Sequence, residues 1–171
     1  MLSLKNKGTQ TMVALSYIRD GALVLTQRRT LGLDLPMLGG TSFVFSTLLD
    51  LVTPEDVNGL YSMTDSVLGA DISPASADYV KRFAARFGMK ADPFGSCYYD
   101  AAMMLADIMR HVGTDRVKIR EAFAAMHDYH GVTRSFTTDS RNDMAHTVSL
   151  VKFLPGTKTT ELVGIYPPTT P

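Results

Sequence analysis

The most regular stretch of the chain covers residues 92–113. There Phe94, Cys97, Tyr98, Ala101, Leu105, Ile108, Met109 and Val112 recur at three- and four-residue spacing, which predicts a helix with that stripe buried. Asp92 suits its N-cap, Pro93 its first turn and Gly113 the left-handed residue that ends it. Upstream, residues 11–17 are short and mostly apolar, the pattern of a strand buried on both faces of a parallel sheet. Asp20 is expected to cap a helix reaching Leu31 and closed by Gly32. Leu35-Pro36-Met37-Leu38-Gly39-Gly40 reads as a second strand, and Thr41-Ser42 as the start of another apolar helix ending near Val52. Strand, helix, strand, helix is the alternation of a doubly wound α/β unit.

The alternation then stops. Thr53-Pro54-Glu55-Asp56 reads as a turn or short capped helix, and residues 57–64 as an extended segment with one permissive glycine, a strand or a crossing between lobes. Ser73-Pro74 repeats the cap-then-proline signal, followed by a helical stripe of Tyr79, Val80, Phe83, Ala84 and Phe87 closed by Gly88. Thr114-Asp115 opens a third helix whose buried face is Ile119, Phe123 and Met126. Short extended pieces follow over residues 132–137, 146–154 and 160–165, with a polar turn at 139–143 and a hairpin turn at Pro155-Gly156-Thr157-Lys158. Residues 167–171 sustain neither regular structure. Leu2, Leu4, Lys5 and Lys7 before Gly8 look like the last turn of a helix whose beginning is absent, which suggests a chain cut from something longer.

At 171 residues, the chain suffices for one sizeable core or for parts of two lobes. Its 17 Lys and Arg balance its 17 Asp and Glu without long runs of one sign, so it carries no electrostatic footprint for nucleic acid or an acidic membrane. The single cysteine excludes an internal disulfide, and its place on the predicted stripe favours packing over reactivity. No apolar run reaches membrane-spanning length, and the opening residues lack the order of a secretion signal.

Few groups invite chemistry. Gly39-Gly40-Thr41-Ser42 lies where a parallel strand gives way to a helix, the edge at which open α/β sheets bind ligands. Its spacing is not that of a nucleotide loop. His127 and His130, with Cys97, His111 and His146 remote in sequence, form no recognisable zinc set, and Asp139, Asn142 and Asp143 miss calcium-loop spacing, so no metal and no cofactor are expected. No serine stands in a nucleophile elbow and no carboxylate pair is marked as acid and base, so an enzyme is not expected. The aromatic residues Tyr17, Tyr61, Phe94, Tyr98 and Tyr99 are candidates to line a cleft.

The order of these pieces resembles the periplasmic solute-binding proteins of branched-chain amino-acid ABC transporters. The likeness rests on Leu25-Thr26-Gln27-Arg28-Arg29-Thr30-Leu31-Gly32-Leu33, Pro36-Met37-Leu38-Gly39-Gly40 and Val57-Asn58-Gly59-Leu60-Tyr61-Ser62. Further on it rests on residues 94–102 with Tyr99-Asp100-Ala101, and on Gly131-Val132-Thr133 followed by Ser135-Phe136-Thr137. It extends over nearly the whole chain but matches only about the C-terminal half of such a receptor. The resemblance implies part of a two-lobed type I fold, with Rossmann-like parallel sheets and flanking helices. Residues 1–61 would belong to the second lobe, 62–146 to the first and 147–171 to the second again, with hinge strands near Tyr61 and His146.

The resemblance also implies an extracytoplasmic receptor that binds a small solute and docks on a membrane permease. By position, Tyr17, Thr41 and Phe94 are pocket residues, with Ser16, Ser42 and Tyr61 as further candidates. Thr41 stands where amino-acid receptors of the family often place an acid for the ligand's ammonium. A neutral hydroxyl cannot neutralise a buried cation, so an aromatic or aliphatic acid, or an amide, competes with an α-amino acid. Lacking half the cleft, the chain is expected to bind weakly or not at all and to self-associate through exposed sheet edges. The alternative is a cytoplasmic ligand-sensing regulatory protein on the same fold.

Overall fold

The computed structural model describes every residue except 2, 4, 5, 66, 69–71 and 168–171. In chain order the elements are β1 (Met12–Ala14), α1 (Ile18–Thr30), β2 (Met37–Gly39), α2 (Ser46–Leu49), β3 (Leu60–Thr64), α3 (Pro74–Phe87), α4 (Pro93–Val112), α5 (Arg116–Ala124), β4 (Tyr129–His130), β5 (Ser135–Thr138), β6 (Met144–His146), β7 (Val148–Phe153) and β8 (Thr160–Tyr166). They form two compact units, one of Met1–Asp65 with Ser149–Tyr166, the other centred on Ser66–Val148. Leu2, Leu4 and Lys5, read above as a helix end, lie outside the described residues, as does most of the 167–171 tail. Gly8 has the expected left-handed φ of 68°. No helix among the described residues is long and apolar enough to cross a membrane.

The first unit is a five-stranded sheet in the order β1-β2-β3-β7-β8. β1, β2 and β3 run parallel, and β7 joins β3 antiparallel. This is the α/β architecture with a parallel sheet and flanking helices. In one cross-strand row Met12, Met37 and Leu60 align, and all three are buried with Leu25, Phe43, Leu48, Val57 and Phe153. The next row, Val13, Leu38, Tyr61 and Lys152, points to the other face, because successive strand residues alternate. Val13 is 66% exposed, so β1 is a sheet edge with one open face and not the doubly buried strand the apolar run predicts.

Two further expectations change. The cap of α1 is Tyr17, and Asp20 sits inside the first turn, where a carboxylate still favours the positive end of the helix dipole. The helix expected over residues 41–52 is broken into a 3-10 turn at Thr41–Val44, an extended Phe45 and the single turn of α2. On one continuous helix Phe43 and Phe45 would project about 200° apart. The break lets Phe43, Phe45 and Leu48 all reach the interior. Gly39 is required there, since a Cβ on it would lie 2.6 Å from the Phe43 ring.

Thr53 and Asp56 form a capping box on the 3-10 turn Pro54–Val57. Burial alone would raise the Asp56 carboxyl, but hydrogen bonds from Arg29 and Thr53 outweigh it and hold it below the usual carboxylate range.

The second unit contains α3, α4 and α5 and the antiparallel sheet β4-β5-β6. Each helix starts at a residue the sequence marks: Ser73 accepts from Ser76 N at 3.0 Å, Asp92 from Gly95 N at 2.9 Å and Asp115 from Val117 N at 2.8 Å. Gly88 ends α3 in the left-handed conformation and Gly113 follows α4. The face of α4 is a different matter. Its buried residues are Ser96, Asp100 and Met104, whereas Phe94 is 54% and Tyr98 77% exposed, and Leu105 and Met109 are exposed as well. Phe94, Tyr98, Ala101, Leu105 and Met109 of the predicted stripe are therefore exposed in the described structure, while Cys97, Ile108 and Val112 are half-buried. No α5 side chain is fully buried either, although Ile119, Phe123 and Met126 are half-buried.

Two of the three residues that α4 buries are polar, and both are hydrogen-bonded. The Asp100 carboxylate, 1% exposed, accepts from Val132 N at 2.7 Å, Thr133 N at 3.2 Å and Thr133 Oγ1 at 2.6 Å. It thereby clamps the loop before β5 onto the helix.

Candidate functional site

The parallel strands β1, β2 and β3 end side by side, and small polar residues follow each of them. Ser16 and Tyr17 come after β1, Gly40, Thr41 and Ser42 after β2, and Asp65 after β3. Gly40 holds this rim together: its N–H donates to Ala14 O at 3.3 Å, and its carbonyl accepts from Ser62 Oγ at 2.8 Å. Ser42 Oγ donates to Ser16 O at 2.6 Å, and Thr41 Oγ1 donates to Asp65 Oδ2 at 3.4 Å. Tyr17 stands free at the start of α1, 85% exposed.

Of the sequence candidates, Thr41, Ser42, Ser16 and Tyr17 thus share one edge of the first unit. Ser16 joins through its carbonyl. Its hydroxyl is buried without a hydrogen-bond partner among the described residues and lies 3.1 Å from where a Gly21 Cβ would stand, so it faces α1 and not the rim. Tyr61 lies in the open-face row of the sheet, with Lys152 Nζ 5.8 Å from its ring centroid. Phe94 belongs to the second unit, in the first turn of α4. Ser62 and Asp65 were not singled out by the sequence. The signal for Asp65 was available: it is the first residue after a third parallel strand, the place where the rule for open α/β sheets looks for ligand contacts.

Other polar groups in the second unit do structural work. Arg134 donates to Cys97 Sγ at 2.7 Å, lies 2.8 Å from His146 Nδ1 and stacks over Phe136 at 5.4 Å. His130 contacts Ser135 Oγ at 2.7 Å and Asp128 at 3.4 Å. Asp139 accepts from the backbone of Asp143 and Arg141, which holds its carboxyl below the usual range. Among the described residues no three His, Cys, Asp or Glu side chains gather as a metal site.

A parallel sheet with hydroxyls and a carboxylate after its strand ends is the α/β arrangement in which ligands gather at that edge. Residues 1–158 match the family model for periplasmic binding proteins, and the chain belongs to that family. Among solved structures it is similar to the leucine binding protein LivK of Thermotoga maritima, at 23% identity and a TM-score of 0.80 over 92% of this chain and 45% of that one. It is also similar to LivJ, the branched-chain amino acid transporter substrate binding protein of Streptococcus pneumoniae solved with isoleucine (20% identity, TM-score 0.80, 95% of this chain, 48% of that one). A third is a solute binding protein of an ABC transporter from R. palustris solved with benzoate (16%, 0.82, 99% and 47%). Identities this low establish the fold alone. The chain spans about half the length of these structures. No curated protein matches it in sequence.

Proposed function

We propose that the chain is part of the extracytoplasmic solute-binding component of an ABC transporter. It takes an amino acid or a related small carboxylate or amide, hands it to a membrane permease and carries out no chemistry on it. The observation that carries this reading is the convergence of Gly40, Thr41, Ser42 and Asp65 on one strand-end rim in a chain of the periplasmic binding protein family. Phe94 is the ligand residue of the second unit, and Thr41 and Tyr17 are the ligand residues of the first. Ser42 presents its oxygen beside them, while Ser16 and Tyr61 support the rim and the sheet.

The test is a melting-temperature screen of the polypeptide expressed from its native reading frame against amino acids, aromatic and aliphatic acids and amides. A solute at a hundred times its Kd stabilises the folded state by about 2.7 kcal/mol, a shift of several degrees. Phe94→Ala weakens that solute about tenfold and barely moves the unliganded Tm, because the ring is already half in water. A Tm that falls with affinity unchanged makes Phe94 a packing residue, and a folded protein that no solute stabilises overturns the reading.

The open edge of β1 also supports self-association of the 171-residue chain, since Val13 and Leu15 present apolar surface beside unpaired backbone groups. Light scattering is expected to show dimers or larger species at micromolar concentration. A monodisperse monomer contradicts this.

A further inference from the structure

We propose that the groove between α3 and α4 is a docking site for an acidic peptide segment of a partner protein, one that carries an aromatic or leucine side chain between carboxylates. The proposal concerns a surface of the second unit and is independent of the solute. Arg82, Phe83, Arg86 and Phe87 lie at three- and four-residue spacing and so share one face of α3, and Tyr98 and Tyr99 of α4 stand opposite them. The space between the two walls is about 430 Å³.

The floor of this groove is aromatic. The buried ring of Tyr79 packs 5.7 Å from Phe83 and 4.9 Å from Tyr99, and Phe83 lies 4.7 Å from Phe87. At its mouth Phe87 is 60% and Tyr98 77% exposed, so a flat or branched apolar side chain entering the groove covers surface that is now in water.

The rim is cationic. Arg82 is held in place: it donates to Asp78 Oδ2 at 2.7 Å and to the Tyr99 hydroxyl at 3.2 Å, with its guanidinium 5.7 Å from the Tyr99 ring centroid. Arg86, one turn further on, is exposed and has no hydrogen bond or ion pair among the described residues. Lys81 and Lys90 add charge nearby. Residues 74–91 thus hold four cations against the one carboxylate of Asp78, in a chain whose total charge is zero.

That charge selects the occupant. The rings take an apolar anchor, and the planar guanidinium of Arg86 takes a flanking carboxylate through paired N–H donors. A basic segment would meet like charge at the rim. Tyrosine, phenylalanine and arginine side by side are also the side chains that protein interfaces concentrate at their centres. A lipid surface suits a projecting apolar face, whereas these rings line a concavity.

The test is selection of random short peptides displayed on phage against the polypeptide expressed from its native reading frame, followed by fluorescence anisotropy with the selected sequences. They are expected to share an aromatic residue or leucine flanked by Asp or Glu, and to bind less tightly as salt is raised. Arg86→Glu and Tyr98→Ala are each expected to weaken them about tenfold or more. Both side chains are exposed, so the unliganded Tm stays nearly constant, and either variant alone suffices if the other does not fold. Selected peptides without carboxylates, equal affinity for the variants and the unaltered chain, or no selected peptide at all overturns the proposal. So does phenylacetate that binds the groove as tightly as the peptides, which makes it a small-acid site. Arg86-dependent binding to phosphatidylserine vesicles without peptide binding overturns it in favour of a membrane contact.

Discussion

Asp100→Ala is expected to destabilise the second unit by about 3 kcal/mol or more, because it strips the partner from several buried donors at once. Val132 N, Thr133 N and Thr133 Oγ1 all point at this carboxylate, and water does not reach the site to replace it. Asp100→Asn keeps the shape but turns an N–H₂ toward donors, so it recovers only part of the loss. Gly131 belongs to the same clamp: a Cβ there would stand 2.4 Å from Asp100 Oδ2. Gly131→Ala therefore forces the loop off the helix. Combined with Asp100→Ala it costs less than the sum of the two, as expected for residues in one network. Hydrogen exchange at the Val132 and Thr133 amides, read with urea denaturation, measures the clamp locally. Unchanged protection in Asp100→Ala contradicts it.

The corresponding residue of the first unit is Arg28. Its side chain is 4% exposed and donates to Leu35 O at 3.3 Å, to Asp56 O at 3.1 Å and to Asn58 O. Burial lowers its pKa, and the nearby Asp34 and Asp56 charges oppose that fall. One planar fork thus ties α1 to the turn before β2 and to the loop before β3. Arg28→Ala is expected to lose about 2–4 kcal/mol, since buried carbonyls are left without donors. Arg28→Lys recovers little, because one compact ammonium cannot span separated carbonyls and holds its water more tightly. Equal stability of Arg28→Lys and the unaltered chain in urea denaturation contradicts this account.

The starts of α3, α4 and α5 proved legible because their signals are local. Ser73, Asp92 and Asp115 cap where the sequence places caps, since a side-chain oxygen needs only the amides two or three residues ahead. The buried face of α4 was not legible in the same way. Periodicity marks which side of a helix is apolar, but burial requires a surface to pack on. In the described structure that side of α4 carries exposed Phe94, Tyr98, Leu105 and Met109, while the loop over residues 131–133 packs on Asp100. The open face of β1 has the same logic. An apolar strand in a parallel sheet is normally covered on both sides, and this chain spans about half the length of the solved structures it matches.

The strand-end edge that forms the candidate site was partly legible. Gly40, Thr41 and Ser42 follow from the rule that ligands gather at the ends of parallel strands. Asp65 escaped because residues 57–64 read equally as a strand or a crossing, so their end was not recognised as part of that edge. The break at Phe45 escaped for a different reason: no local signal stops a helix there, and the competing demand is the burial of Phe43, Phe45 and Leu48 together.

The central claim, reversible capture of a small solute without chemistry, is tested most directly by equilibrium dialysis of the polypeptide expressed from its native reading frame. The solute selected by thermal stabilisation is used, and its chemical form is analysed after release. The account predicts saturable uptake of one solute per chain, recovered unaltered, and weakened by Thr41→Val. A solute that is chemically converted, or a folded protein that retains none, contradicts it.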